Sequence, residues 1–118
     1  MSDVAERPVD LIHLARYTGG ERATNAAILQ LFVGQSAELM RKLQAVVEAR
    51  DGEGWAHIMH SLKGAARGIG AFGLAQVAAE AEPLDPATQH AQSVAALQSL
   101  RTRAEAVHEF VNSYLAAA

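Results

Sequence analysis

The sequence has 118 residues and a formal net charge of −3, and 50% of its residues are hydrophobic while only 5% are aromatic. This length and composition predict one domain over residues 1–118 with an aliphatic core, and the acidic balance argues against a nucleic-acid partner, which would need a basic surface. The absence of cysteine excludes disulfides and thiol chemistry, and no leader or membrane-length apolar run is present, so we expect a cytoplasmic protein without a membrane partner.

Start and stop residues divide the first half of the chain into two helices. A short helix is predicted over about residues 9–17, where Gly19 and Gly20 end it. A long helix follows over about residues 21–50 and ends at Asp51-Gly52. Apolar residues at helical spacing predict its inward stripe: Ile28, Leu31, Phe32, Leu39, Leu43, Val46 and Val47.

Three more helices are predicted in the second half. Asp51 is expected to cap a helix over about residues 53–69, and the next covers about residues 71–82. The last is expected to start with Asp85 as its cap and Pro86 at its first position, and to reach about residue 115. Its predicted inward stripe is Val94, Leu97, Arg101, Ala104, His108, Val111 and Leu115. Short connections between four substantial helices predict an all-α, antiparallel up-down-up-down four-helix bundle with a short extra N-terminal helix as a lid.

The helix over residues 53–69 has two chemically different faces. At about 100° per residue, its core face consists of Trp55, Ile58, Met59, Leu62, Ala65, Ala66 and Ile69. The opposite face carries His57, His60, Gly64, Arg67 and Gly68, with Lys63 and Ser61 on its flanks. His60 is therefore predicted to be exposed near the middle of the polar face.

The surroundings of His60 suit a phosphoryl acceptor. Gly64 lies one turn further on the same side and leaves the imidazole accessible to a partner, although an interior glycine costs a helix roughly 0.5–1 kcal/mol. Lys63 places a cation beside it that would offset the charge of an incoming phosphoryl group.

The run His60-Ser61-Leu62-Lys63-Gly64, followed by Gly70 ten residues after the histidine, resembles the signature of histidine-containing phosphotransfer (HPt) domains. The resemblance extends to Val9-Asp10, Leu31-Phe32 and Arg50-Asp51. It implies a phosphocarrier of a multistep two-component phosphorelay, which exchanges a phosphoryl group with aspartates of receiver domains or receives it from a sensor or hybrid histidine kinase. Such domains have no nucleotide site and no metal or cofactor of their own, because the receiver supplies the Mg²⁺. We expect a monomer.

The resemblance also assigns roles to individual residues. His60 is the phosphorylated residue, Lys63 stabilises the phosphoryl group, and Glu82, twenty-two residues after the histidine, orients the imidazole. A carboxylate that accepts a hydrogen bond from Nδ1–H would leave Nε2 free to carry the phosphoryl group. The expected access and docking residues are His57, Ser61, Gly64, Arg67 and Gly68. Arg67 departs from the family, where that position is usually small, so it either contacts phosphate, selects receivers or is a solvated side chain without a role.

Four other functions are compatible with parts of the sequence. The GxGxxG pattern over residues 68–73 resembles a dinucleotide fingerprint, but a helix precedes it where that motif requires a strand. His57 and His60 could hold a metal, although Glu53 is the one acid nearby on that helix. A purely structural bundle is a third alternative. Within the family, a kinase-associated module such as the N-terminal domain of a chemotaxis kinase is the fourth, and the end of the chain after Leu115 favours a free-standing carrier.

Overall fold

The computed structural model describes residues 7–117, which form α-helices joined by short connections and contain no strand. The helices are α1 (Leu11–Thr18), α2 (Arg22–Glu48), α3 (Gly52–Ile69), α4 (Phe72–Ala81) and α5 (His90–Ala116). Helices α2 and α4 each pack against both α3 and α5, and α1 packs on α2 and α3. Within residues 7–117, no helix combines the length and apolar character that crossing a bilayer would require.

A backbone hydrogen bond connects the start of α1 with the end of α3. The Asp10 side chain caps α1 by accepting hydrogen bonds from the backbone N–H groups of Ile12 and His13, and its own N–H donates to the carbonyl of Gly70 at 2.9 Å. Gly70 ends α3 with a φ of 86°, in the left-handed region that favours glycine. A Cβ on Gly70 would lie 2.7 Å from the Asp10 carbonyl oxygen, so this junction requires glycine.

The core is aliphatic and alanine-rich around one buried tryptophan. Trp55 of α3 is fully buried, and its indole N–H donates to the Ala81 carbonyl at the end of α4 at 2.9 Å. Helix α4 presents Leu74, Ala75, Ala78 and Ala81 to the core, and the three alanines let α4 approach its neighbours closely. Burial of each large aliphatic side chain contributes about 1.5–3 kcal/mol, which makes this shared core the main source of stability.

The predicted helix bounds agree with α1 to α4 to within two residues, whereas the start of the last helix was wrong. Helix α5 begins at His90, four residues after Pro86. Asp85 instead organises a separate turn: its side chain accepts from the N–H of Ala87, and its carbonyl accepts from the N–H of Gln89. Gln89 has a non-helical backbone conformation, with φ −130° and ψ 50°, which separates this turn from α5.

Two residues predicted to face inward are exposed. Leu31 of α2 is 62% exposed, and Val94 of α5 also faces solvent. Leu31 lies outside because the buried residues of α2 follow the spacing of Leu29, Phe32 and Ser36, which places position 31 on another face. In α5 the buried residues are Ser93, Leu97, Leu100, Ala104, Val107 and Val111. This spacing of three and four residues leaves the predicted Arg101, His108 and Leu115 half-buried at its margin.

Candidate functional site

The site lies on the outer face of α3, which the structure confirms as the exposed face. His57, His60, Gly64, Arg67 and Gly68 are all exposed there, and the His60 side chain is 74% exposed. The predicted core face is also confirmed: all of its residues are buried except Ala65, which is half-buried. Asp51 caps α3 through the N–H of Gly54 at 3.0 Å, so both helix ends are fixed and His60 stands on a rigid element.

The surface of α3 beside His60 is free of side chains at Gly64 and Gly68. A Cβ built at either position would have no heavy atom within 4 Å outside its own helix backbone and chain neighbours. The packing of the domain therefore does not require glycine at these two positions, in contrast to Gly70. A partner that approaches His60 would meet bare helix backbone there.

A charged cluster borders His60 on its Nδ1 side. Glu82, directly after α4, accepts a hydrogen bond from Lys63 Nζ at 2.5 Å through Oε1. Its other oxygen, Oε2, lies 3.7 Å from His60 Nδ1, which is within ion-pair range but too long for a hydrogen bond. The structure thus brings Glu82 to the imidazole as expected, yet the hydrogen bond goes to Lys63.

The Lys63–Glu82 pair is partly buried, since the Lys63 side chain is 19% exposed and that of Glu82 is 30% exposed. The hydrogen bond from Lys63 holds the pKa of the Glu82 carboxyl below its ordinary value. Partial burial opposes this effect, while the charges of Lys63, His60 and Arg67 add to it. Glu82 is therefore ionised at neutral pH, and Arg67 lies close enough to act on it electrostatically.

Sequence patterns alone do not reveal the Lys63–Glu82 pair, because His60 and Lys63 compete for the same carboxylate across the reversal at Gly70. The sequence indicates only that His60 and Lys63 both precede Gly70 on α3, so that either could lie near Glu82 at the end of α4. Predicting which of the two binds Glu82 requires the side-chain geometry.

An open, mainly apolar groove of about 660 Å³ lies between α2 and α3. We call it the α2–α3 groove, and its lining is Gln30, Leu31, Gly34, Gln35, Glu38 and Leu39 from α2 with Ser61 and Ala65 from α3. Ser61 is the direct chain neighbour of His60. Of these residues only Ser61 was predicted as part of the site. Helical periodicity assigns Leu31 to the inward stripe, so the remaining lining residues could not be found from the sequence.

The remaining histidines and acids are dispersed. Within residues 7–117, no three His, Asp or Glu side chains come together in a group that could hold a metal ion. His108, half-buried on α5, has its Nε2 2.9 Å from the Ser36 hydroxyl of α2. Burial lowers the pKa of His108, and the nearby charge of Glu105 opposes that shift.

Comparisons with known proteins agree with this geometry. The family model described as Hpt domain matches residues 27–110, which include all of α3 as well as Glu82. The chain is also similar to the crystal structure of histidine-containing phosphotransfer protein B (HptB) from Pseudomonas aeruginosa PAO1, with a TM-score of 0.78 and 25% sequence identity over 90% of this chain and 92% of that chain. No curated protein matches the sequence. The family match spans more than half of the sequence, and the chain therefore belongs to the Hpt domain family, whose members carry phosphoryl groups on histidine in phosphorelays.

Proposed function

We propose that His60 is the phosphoryl-carrying residue of this chain, and that it exchanges the phosphoryl group with aspartates of response-regulator receiver domains. The observation that carries the proposal is the 74% exposure of His60 at the middle of α3. The helix surface beside it has no side chains at Gly64 and Gly68. The family match supports the same class of function. A sensor or hybrid histidine kinase is the alternative source of the phosphoryl group.

The exposed imidazole supports a direct transfer reaction. A neutral ring nitrogen attacks the phosphorus of a receiver's aspartyl phosphate, the new N–P bond forms, and the bond from phosphorus to the carboxylate oxygen breaks with its electron pair left on the aspartate. The reverse reaction passes the phosphoryl group on. The Nδ1 side of the ring faces Glu82, so we assign the attack to Nε2, which points away from this carboxylate. The receiver contributes Mg²⁺ to the shared site.

The α2–α3 groove supports a docking position for the receiver. Its lining includes Ser61, the chain neighbour of His60, and the exposed Leu31. Apolar side chains of a receiver that enter this groove would place its aspartate above His60. Arg67 and His57, exposed on the outer face of α3, would lie at the rim of such a complex.

Two further features belong to this proposal. The connections over residues 49–51 and 70–71 are short, and the helices that they join pack against each other, which supports an antiparallel up-down-up-down arrangement of α2, α3 and α4. A monomeric single domain over residues 1–118 stays a prediction.

The function is tested by phosphoryl transfer from a kinase–receiver pair. We expect the wild-type protein to acquire an acid-labile, base-resistant label, His60→Gln to lose it, and His57→Gln to retain it. His57 is the matched control because it is exposed on the same face, one turn earlier. Label that survives His60→Gln would contradict the proposal.

A further inference from the structure

The cation expected to stabilise the phosphoryl group is already engaged by a carboxylate. Lys63 Nζ lies 2.5 Å from Glu82 Oε1, and its side chain is 19% exposed, whereas that of His60 is 74% exposed. The ammonium group is therefore held inward, towards the end of α4. Glu82 Oε2 lies 3.7 Å from His60 Nδ1, so this carboxylate is on the side of the ring opposite to the proposed phosphoryl position.

Phosphorylation of His60 would place two anions in competition for Lys63. A phosphoryl group carries close to two negative charges at neutral pH and accepts strong hydrogen bonds. Lys63 is one turn from His60 on α3, so its flexible side chain reaches towards either anion. Every gain in its contact with the phosphoryl group on Nε2 is a loss in its contact with Glu82.

We propose that Glu82 is a positioning residue that withholds Lys63 from phospho-His60, and that it thereby lowers the affinity of the carrier for the phosphoryl group and favours its onward transfer. This inference rests on the proposed function of His60. It assigns to Glu82 a role in setting the transfer equilibrium that acts through Lys63. Arg67 is the other cation whose charge acts on Glu82, and it is fully on the exposed face.

The test uses a small phosphoryl donor, so that no partner protein contributes. Phosphoramidate transfers its phosphoryl group to His60: the N–P bond to the ring forms, the P–N bond of the donor breaks, and ammonia leaves with its electron pair while the other ring nitrogen keeps its proton. At fixed phosphoramidate and ammonium concentrations, ³¹P NMR gives the plateau ratio of phosphorylated to free His60. This ratio reports the relative phosphoryl affinity of each variant.

The matched variants distinguish an effect of Glu82 through Lys63 from a direct effect of the Glu82 charge on the phosphoryl group. Glu82→Gln removes the charge at nearly constant shape, and Glu80→Gln is its control because Glu80 is exposed on α4 and contacts Gln76. Lys63→Met keeps the partly buried stem and removes the cation. We expect Glu82→Gln to raise the plateau ratio roughly three- to fivefold, in the upper range for a single surface ion pair, and Glu80→Gln to leave it unchanged. In the Lys63→Met background, Glu82→Gln should change the ratio by less than about twofold.

Four results would contradict the inference or the proposed function, and they are distinguishable. An unchanged or lower ratio in Glu82→Gln with intact circular dichroism would contradict the inference. An equal rise in the Lys63→Met background would also contradict it, because the effect would then be direct repulsion by Glu82 and not the capture of Lys63. Label on His60→Gln at the wild-type level, or no label on the wild type, would contradict the proposed function itself and the inference with it.

Discussion

At the scale of single residues, we propose that Gly64 serves access to His60 and not the stability of the fold. Its position is exposed, and an added Cβ would contact nothing in the domain outside its local helix backbone. We expect Gly64→Ala to raise the free energy of unfolding by up to about 1 kcal/mol in urea denaturation, because alanine is the better helix former. The gain would show that this glycine is a cost to the isolated fold.

A longer side chain at the same position should affect transfer and not folding. We expect Gly64→Gln to slow phosphoryl transfer from a receiver by roughly tenfold or more, since it displaces the partner from the imidazole. Its circular dichroism should match that of the wild type, and Gly64→Ala serves as the size control. Wild-type transfer rates in Gly64→Gln would mean that steric access to His60 is not the reason for the glycine.

His108 makes stability depend on pH. Burial against α2 lowers its folded-state pKa below the ordinary 6.5, and the region contains Glu105, which opposes the shift, and the cation Arg101. His108 binds a proton more tightly in the unfolded chain than in the folded one. The contribution of neutral His108 to the free energy of unfolding is therefore fully present above about pH 6.5, and it is lost as the pH decreases towards the folded-state pKa. We expect urea denaturation between pH 7.5 and 5 to show this loss.

The free energy of unfolding should depend less steeply on pH in His108→Gln. This variant retains a polar group opposite Ser36, and glutamine does not titrate. His57→Gln, on the exposed face of α3, should keep the wild-type slope. An identical pH dependence in His108→Gln and the wild type would exclude His108 as its source.

At the scale of the helices, the α2–α3 groove should be needed for protein partners and dispensable for small donors. Leu31 is 62% exposed and lines the groove, so Leu31→Asp should leave the fold intact. We expect it to slow transfer from a phosphorylated receiver about tenfold, because a charge then faces the apolar partner surface. Labelling by phosphoramidate should stay at the wild-type rate.

Val94→Asp is the matched control for that experiment, since Val94 is an exposed apolar residue on α5 and does not line the groove. It should transfer at the wild-type rate. Equal slowing in both variants would point to a general effect of surface charge, and no slowing in Leu31→Asp would place receiver docking elsewhere.

At the junction of α3 with α1, a glycine is predicted to be needed for stability, in contrast to Gly64. Gly70 has a φ of 86°, and a Cβ there would lie 2.7 Å from the Asp10 backbone oxygen. We expect Gly70→Ala to lower the free energy of unfolding by about 2 kcal/mol in urea denaturation, from backbone strain and this clash. Gly68→Ala, two residues earlier and sterically open, should be neutral or stabilising, so equal losses in the two variants would contradict the argument.

At the scale of the whole molecule, the parts that were predictable from sequence are those with a single strong periodic or capping signal. The two faces of α3 follow from its apolar spacing, and its ends follow from Asp51 and Gly70. The start of α5 was not predictable because Asp85 and Pro86 form an equally good turn, and Gln89 decides between the two. The Lys63–Glu82 contact depends on a choice between neighbouring charged groups, which helical periodicity does not encode.

The bare backbone at Gly64 and Gly68 has a consequence for how such a carrier changes over evolutionary time. The side chains that hold α3 in place lie on its inner face, whereas a Cβ at Gly64 or Gly68 would meet no heavy atom of the rest of the domain within 4 Å. Substitutions at Gly64 and Gly68 are therefore limited more by their effect on partner binding than by the packing of the domain. Duplicated copies of the gene would be free to diverge into insulated pathways by surface changes, and laboratory rewiring of partner choice should begin at these same positions.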